Sequence, residues 1–158
     1  MAIRTIRTEG DEILRKKSKK VEVIDEKIKE LVKDMVETLH KYDGVGLAAV
    51  QVGILKQIVI IQESADAPIH VMINPEIVSQ TGTQIVEEGC LSFPNKFAKI
   101  ERPEKITIRA LNEKGKKIKI TGEKLLAQAI SHEIDHLNGE VFIDKIIPGT
   151  LEIIRQEN

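Results

Sequence analysis

The chain has 158 residues, of which 41% are hydrophobic and 31% charged, and its formal net charge is −1 at pH 7. This length predicts a single domain, residues 1–158, with enough apolar residues to build a core. The near-zero net charge argues against a nucleic-acid-binding protein, and a single cysteine excludes an internal disulfide. No apolar run is long enough for a membrane span or a secretory leader, so we expect a soluble, cytoplasmic protein.

Helical periodicity characterises the first quarter of the chain. A short helical turn is predicted at residues 11–15, within a charged segment. Asp25 is typical of a helix N-cap, and apolar residues then recur at three- and four-residue spacing up to Tyr42-Asp43-Gly44. This pattern predicts an amphipathic N-terminal helix of about four turns that ends where the glycine can form its C-terminal cap.

Short β-branched runs separated by turn residues fill the middle of the chain. A buried helix is predicted at residues 123–137, and one or two helical turns at residues 151–155. Because the strands are grouped between helices, we predict an α+β fold. Antiparallel β-sheets would pack around the central buried helix, with the N-terminal amphipathic helix in addition. The predicted strands are 57–62, 69–73, 77–79, 83–86, 106–111 and 117–120, with a hairpin loop at 112–115.

The sequence His132-Glu133-Ile134-Asp135-His136 lies within the predicted buried helix. Two histidines four residues apart share one helical face and can reach one metal ion, and Glu133 is placed to act on a metal-bound water. Two core histidines satisfied by hydrogen bonds are the alternative. The spacing and the burial of the helix favour the metal site.

A catalytic site of this kind needs a third protein ligand and an open position. The downstream candidates are carboxylates, whereas upstream the single cysteine, Cys90, would complete a set of one thiolate and two imidazoles that suits Zn²⁺ or Fe²⁺. The residue types alone leave the choice open, since a lone cysteine can equally be a small buried hydrophobe. The carboxylate candidates are Glu140, Asp144, Glu152 and Glu157.

Three stretches together carry a family resemblance. They are Gly44-Val45-Gly46-Leu47-Ala48-Ala49-Val50-Gln51, Glu88-Gly89-Cys90-Leu91-Ser92 and His132-Glu133-Ile134-Asp135-His136, in that order. Their combination resembles the peptide deformylase family, with weaker similarity from about residue 3 to residue 146. One departure is Ser131, where many members have glutamine. Its predicted direction is away from the metal.

The resemblance implies a hydrolase that removes the formyl group from N-terminal formylmethionine of newly made proteins. By resemblance, Cys90, His132 and His136 hold the metal, and Glu133 is the general acid/base as metal-bound hydroxide attacks the formyl carbon. The Gln51 side chain and the backbone N–H of Leu91 would stabilise the oxyanion. The substrate-contacting residues would be Val45, Gly46, Gly89, Leu125 and Ala129, and an ion pair between Glu88 and Arg102 would hold the cysteine loop.

The resemblance also implies one divalent metal ion, with Fe²⁺ favoured in cells and Zn²⁺, Ni²⁺ or Co²⁺ as alternatives. The expected partners are N-formylmethionyl nascent peptides near the ribosome, without direct nucleic-acid or membrane binding. The oligomeric state is not readable from the sequence. Two other functions compete with this interpretation: a zincin-type metallopeptidase with a downstream carboxylate ligand, and a non-enzymatic, metal-stabilised binding module.

Overall fold

Two α-helices and eight strands make up the part of the chain that the computed structural model describes, residues 2–154. The α-helices are α1 (Glu26–Lys41) and α2 (Leu125–Leu137). Three short 3₁₀ helices cover Glu12–Arg15, Ala49–Val52 and Phe142–Lys145. The strands are β1 (Gly46–Ala48), β2 (Ile58–Ile61), β3 (His70–Thr81), β4 (Gln84–Cys90), β5 (Phe93–Arg102), β6 (Lys105–Leu111), β7 (Lys117–Glu123) and β8 (Glu152–Ile153).

A five-stranded antiparallel sheet, in the order β1-β2-β3-β6-β7, separates the two α-helices. Strand β2 is buried on both faces, so its side chains are apolar without alternation. Ile58 and Ile60 pack in the cluster that contains α1, whereas Val59 and Ile61 pack in the cluster that contains α2. The two helices therefore lie on opposite faces of this sheet.

A second, three-stranded antiparallel sheet has the order β4-β5-β8 and lies against the other side of α2. Ala98 and Ile100 of β5 pack with Phe93 and with Phe142, which follows α2. Arg102 of β5 and Glu88 of β4 also contact Asp135 and His132 of α2, so this helix lies between the two sheets. This arrangement confirms the predicted α+β fold with antiparallel sheets around a central helix.

The predicted helical turns at residues 151–155 are wrong within the described part of the chain, because Glu152–Ile153 form β8. This short strand pairs with Lys96 and Phe97 of β5, and residue 155 lies outside the described residues. Strand β5 itself was not predicted. Its buried positions alternate only from Ala98 to Arg102, and one of them is the charged Arg102, which hides the pattern.

Several boundaries also differ from the prediction. The runs 69–73 and 77–79 belong to one strand, β3, which continues through Asn74-Pro75 with a bulge where Asn74 has a φ of 54°. The amide of Asn74 both donates to and accepts from the backbone of Val21 at 2.8 Å. Residues 122 and 123 extend β7, so α2 begins at Leu125.

Within residues 2–154, neither helix combines the length and the apolar character needed to cross a bilayer.

Candidate metal centre

Three potential metal ligands meet where β4 ends against α2. Cys90 is the last residue of β4, and His132 and His136 lie one turn apart on the buried face of α2. One donor atom from each residue lies within 4.8 Å of the other two. The Cys90 Sγ is 3.4 Å from the His136 Nε2. The structure therefore brings together the thiol and the two imidazoles named from the sequence.

The spacing of these donors suits a single divalent ion. Ligand atoms at 2.0–2.3 Å from a tetrahedral ion stand roughly 3.3–3.8 Å apart, which agrees with the separation of the Cys90 and His136 donors. A thiolate and two imidazoles form a soft to borderline donor set of the kind that binds Zn²⁺ or Fe²⁺. The residues present thus fit a transition-metal ion.

The competing carboxylate ligands lie elsewhere. Asp144 pairs with Arg15, and the Glu140 carboxylate lies 3.1 Å from the Lys145 ammonium. Glu152 is an exposed residue of β8, and Glu157 lies outside the described residues. Among residues 2–154, the cluster of possible metal ligands contains Cys90 and no carboxylate.

A buried ion pair fixes the ring of the first histidine. Arg102 donates to both carboxylate oxygens of Glu88, at 3.0 and 2.5 Å, and the Glu88 Oε1 is 2.5 Å from the His132 Nδ1. Burial alone would raise the pKa of Glu88, but the hydrogen bonds from His132 and Arg102 outweigh it and lower the pKa to about 2. Because the Glu88 carboxylate holds the Nδ1 of His132, the Nε2 of the same ring is left to bind a metal. Histidines that bind metals generally have their other ring nitrogen held in this way.

This ion pair continues to the protein surface through side chains to which the sequence analysis assigned no role. The Arg102 Nη1 donates to the Asp135 Oδ2 at 2.6 Å and to the Ser131 Oγ at 3.3 Å. Lys145 donates to the other oxygen of Asp135 at 3.0 Å. Ser131 therefore faces Arg102 rather than the metal ligands. The sequence shows Asp135 inside the third motif. Its part in this chain of ion pairs depends on Arg102, which is distant in sequence, and on Lys145.

Glu133 lies beside the metal ligands with a nearly inaccessible carboxylate. Its Oε2 is 3.9 Å from the His132 Nε2, and its Oε1 has no hydrogen-bond partner among the described residues. Burial raises the pKa of Glu133 to about 7, and the nearby His132 offsets part of that rise. A carboxyl group with a pKa near neutrality is suited to accept and return a proton.

Gly46 creates the space that the Glu133 carboxylate occupies. A Cβ added at Gly46 would lie 2.7 Å from the Glu133 Oε2 and 3.0 Å from its Cγ. Real Cβ atoms essentially never show contacts under 3.0 Å, so any larger residue would displace the carboxylate. Gly46 lies in β1, a strand that is not among those predicted from the sequence.

Gln51 approaches the cysteine with its amide orientation fixed. Its Oε1 accepts a hydrogen bond from the Ala48 N–H at 2.9 Å, so its Nε2 points towards the Cys90 Sγ at 3.5 Å. The same Nε2 donates to the Ser92 Oγ at 3.1 Å. Ser92 was not assigned a role from the sequence, although it belongs to the second motif. Leu91 follows Cys90 directly and lines the same cavity.

A cavity of about 730 Å³ opens from this cluster to the surface. Gly89 lines it, but the space in front of its Cα is filled by Phe97, whose Cε1 would lie 2.8 Å from an added Cβ. The lack of a side chain at Gly89 therefore leaves room for the Phe97 ring, and Gly89 also lines the cavity in which a substrate contact was predicted. The other residues predicted to contact substrate, Val45, Gly46, Leu125 and Ala129, also line the cavity.

Comparison with known proteins identifies the family. The family model described as polypeptide deformylase matches residues 3–151. The chain belongs to the polypeptide deformylase family. A peptide deformylase of Acetivibrio thermocellus is 55% identical over 147 residues, covering 93% of this chain and 85% of the relative. This deformylase-family chain is also similar to two crystal structures.

Both crystal structures are of peptide deformylases. The one from Thermotoga maritima has a TM-score of 0.90 and 41% identity and covers 94% of this chain and 100% of its own. The one from Legionella pneumophila has a TM-score of 0.89 and 45% identity and covers 93% and 88%. The chain is therefore an enzyme of the deformylase family, and it removes the formyl group from N-formylmethionine.

Proposed function

We propose that the deformylation reaction takes place at the cluster of Cys90, His132 and His136, with Glu133 as general acid/base. The observation that carries this proposal is the meeting of one thiol and two imidazoles beside a buried carboxylate. A divalent cation held there supplies Lewis acidity, which makes hydroxide available near neutral pH. A protein set of three ligands leaves a coordination position for chemistry, as catalytic sites require.

Glu133 moves the proton. Its carboxylate accepts the proton of the attacking water and then delivers it to the amine nitrogen of methionine as the bond to the formyl carbon breaks. Atoms balance: water and the formyl amide give formate and a free amino terminus. Burial raises the pKa of the Glu133 carboxyl group, which favours a group that can accept this proton and return it.

Gln51 and Leu91 stabilise the oxyanion that develops on the formyl oxygen. The Gln51 amide is held by Ala48 with its N–H donors on the side of Cys90, which supports a donor role. The backbone N–H of Leu91 is the second donor. Loss of one such donor typically lowers kcat by about 10²–10³-fold.

The substrate occupies the cavity that opens from these residues. Val45, Gly46 and Gly89 contact its backbone and side chain, while Leu125 and Ala129 provide apolar surface for methionine. Ala129 is buried and Leu125 lies at the exposed rim, which supports a pocket that opens along the first turns of α2. The formyl carbon carries only hydrogen, so a tight site admits formyl and excludes acetyl.

The deformylase family implies a metal cofactor, and we propose that the ion in the cell is Fe²⁺. The ligand types also permit Zn²⁺, Ni²⁺ or Co²⁺. Formylated peptides are the substrates of the family. We propose that this chain, a single domain over residues 1–158, acts in the cytoplasm on nascent peptides close to the ribosome.

The test is formate release from formyl-Met-Ala-Ser together with metal analysis of protein purified without oxygen. Glu133→Gln should retain the metal and lose roughly 10²–10⁴-fold in kcat, because the proton acceptor is removed. Cys90→Ala should lose the metal. Acetyl-Met-Ala-Ser is the control substrate and should not be hydrolysed. An active Glu133→Gln variant would remove Glu133 from the mechanism, and metal with activity in Cys90→Ala would favour a metallopeptidase arrangement.

A further inference from the structure

Gln51 is held by contacts of both its side chain and its backbone. Its Oε1 accepts a hydrogen bond from the Ala48 N–H at 2.9 Å, and its Nε2 donates to the Ser92 Oγ at 3.1 Å. Its backbone C=O accepts from the Arg7 N–H at 2.7 Å. Gln51 and Ser92 are both buried, so solvent has little access to the bond between them. The two side chains are therefore fixed relative to each other.

The Ser92 hydroxyl determines the direction of the Gln51 amide. A primary amide carries two N–H donors on one nitrogen. The Ser92 Oγ takes one of them, and the Gln51 Nε2 lies 3.5 Å from the Cys90 Sγ on the side of the metal ligands. Without the hydroxyl, the amide would keep its contact with Ala48 but gain freedom to rotate about its last torsion angle. The second N–H donor would then lose its defined direction.

Ser92 also belongs to the turn that presents the Leu91 N–H. Cys90 and Phe93 are direct cross-strand partners, so Leu91 and Ser92 are the two residues of a tight turn between β4 and β5. The Ser92 C=O accepts from the Glu9 N–H at 2.8 Å. A contact that fixes the Ser92 backbone therefore also fixes the turn that contains the second proposed oxyanion donor.

Residues 6–9, which we call the N-terminal segment, join these two places. The N–H groups of Arg7 and Glu9 donate to the backbones of Gln51 and Ser92, respectively. The other two residues of the segment line the substrate cavity. Residues two apart in an extended chain share a side, which accounts for this alternation. The N-terminal segment thus connects both proposed oxyanion donors to one wall of the cavity.

We propose that Ser92 is a positioning residue for the oxyanion donors and that the N-terminal segment holds it in place. The Ser92 side chain does not line the cavity. Its hydroxyl acts through Gln51, and its carbonyl group acts through the turn that carries Leu91. The inference rests on the oxyanion role proposed above for Gln51. Such donors act on charge that develops in the transition state, so loss of their alignment should lower kcat and change KM little.

The first test compares Ser92→Ala, Gln51→Ala and the double variant in formate release from formyl-Met-Ala-Ser. Ser92→Ala should lower kcat about tenfold, less than the loss of a whole donor, with KM and metal content unchanged. The double variant should be no slower than Gln51→Ala alone, because residues that act through one another are not additive. Ser18→Ala is the matched control. It removes another buried serine hydroxyl, one that has no hydrogen-bond partner among residues 2–154, and should keep its kcat.

The second test removes a single backbone donor from the N-terminal segment. The Asp11 N–H donates to the Thr8 C=O at 3.0 Å and Gly10 has a φ of 96°, as in a type II turn that favours proline at the position of Glu9. Glu9→Pro should therefore fold, but it lacks the N–H that the Ser92 carbonyl accepts. It should lower kcat about three- to tenfold. Glu9→Ala also lacks the carboxylate but retains the N–H, and it should keep its kcat.

An unchanged kcat of Ser92→Ala beside a slow Gln51→Ala would overturn this inference and leave the proposed catalytic roles intact. Equal losses from Ser92→Ala in the presence and in the absence of Gln51 would also overturn it. The same holds if Ser92→Ala loses the metal, or if Glu9→Pro and Glu9→Ala have the same kcat. A Gln51→Ala variant that keeps its kcat would instead refute the proposed oxyanion role, and the positioning role of Ser92 with it.

Discussion

Replacing Gly46 by alanine tests whether the position of the Glu133 carboxylate sets the catalytic rate. The added Cβ would lie 2.7 Å from the Glu133 Oε2, whereas ordinary van der Waals contact begins at 3.4 Å. The carboxylate must therefore retreat by about 0.7 Å. Misplacement of a reacting group by about 1 Å can cost roughly 10²-fold in rate, so kcat should fall about 10- to 100-fold. The metal ligands are not touched, and metal content should not change.

The matched control is Gly122→Ala on β7. A Cβ at Gly122 would lie 2.7 Å from the Leu126 Cγ, the same closeness, but the neighbour is an apolar side chain outside the substrate cavity. This variant should unfold at a lower temperature while keeping kcat. Formate-release kinetics and thermal unfolding of both variants decide the matter. The reasoning fails if Gly46→Ala keeps its kcat, or if Gly122→Ala loses as much.

Three further substitutions probe other parts of the site and the fold. Gln51→Ala should lower kcat by about 10²–10³-fold with the metal retained, and loss of the metal instead would contradict the oxyanion role. Arg102→Met should weaken metal binding roughly 10- to 100-fold in chelator competition, because Glu88, which orients His132, loses its bidentate partner. Unchanged metal affinity would show that the ion pair between Glu88 and Arg102 is dispensable. Burial alone would raise the pKa of Asp34, but hydrogen bonds from the Ala2 N–H and Arg4 outweigh it and lower the pKa. The stabilising effect of the Asp34 carboxylate is therefore complete above its pKa in the unfolded chain, near 3.8. It is lost as the pH falls through the lower pKa that Asp34 has in the folded protein. In denaturant unfolding, Asp34→Asn should be less stable than the unaltered protein at pH 7 and the difference should vanish in acid; a difference independent of pH would contradict this.

The local patterns of the sequence predicted most of the fold. Asp25 caps α1 as expected, with its side chain accepting from the Ile28 N–H, and the apolar spacing of α1 matches its buried positions. Strand β8 and its pairing with β5 were missed, because a two-residue strand is defined by its partner and not by its own sequence. The bulge at Asn74 was missed as well, since Asn-Pro usually ends a strand.

The candidate site was predictable where its residues fall in motifs, and not where the contacts join distant segments. The three motifs named Cys90 and the two histidines, and the structure brings them together. The path from Glu88 through Arg102 and Asp135 to the surface depends on packing between β4, β5 and α2.

The most direct test of the proposed metal centre is anomalous diffraction at the metal absorption edge from crystals grown without oxygen. We expect a single peak at about 2.3 Å from the Cys90 Sγ and about 2.0–2.1 Å from one nitrogen each of His132 and His136. No fourth side chain should bind the ion. A peak that is not bonded to the Cys90 sulfur, or one that a carboxylate also ligates, would contradict the assignment of an open, three-ligand catalytic site.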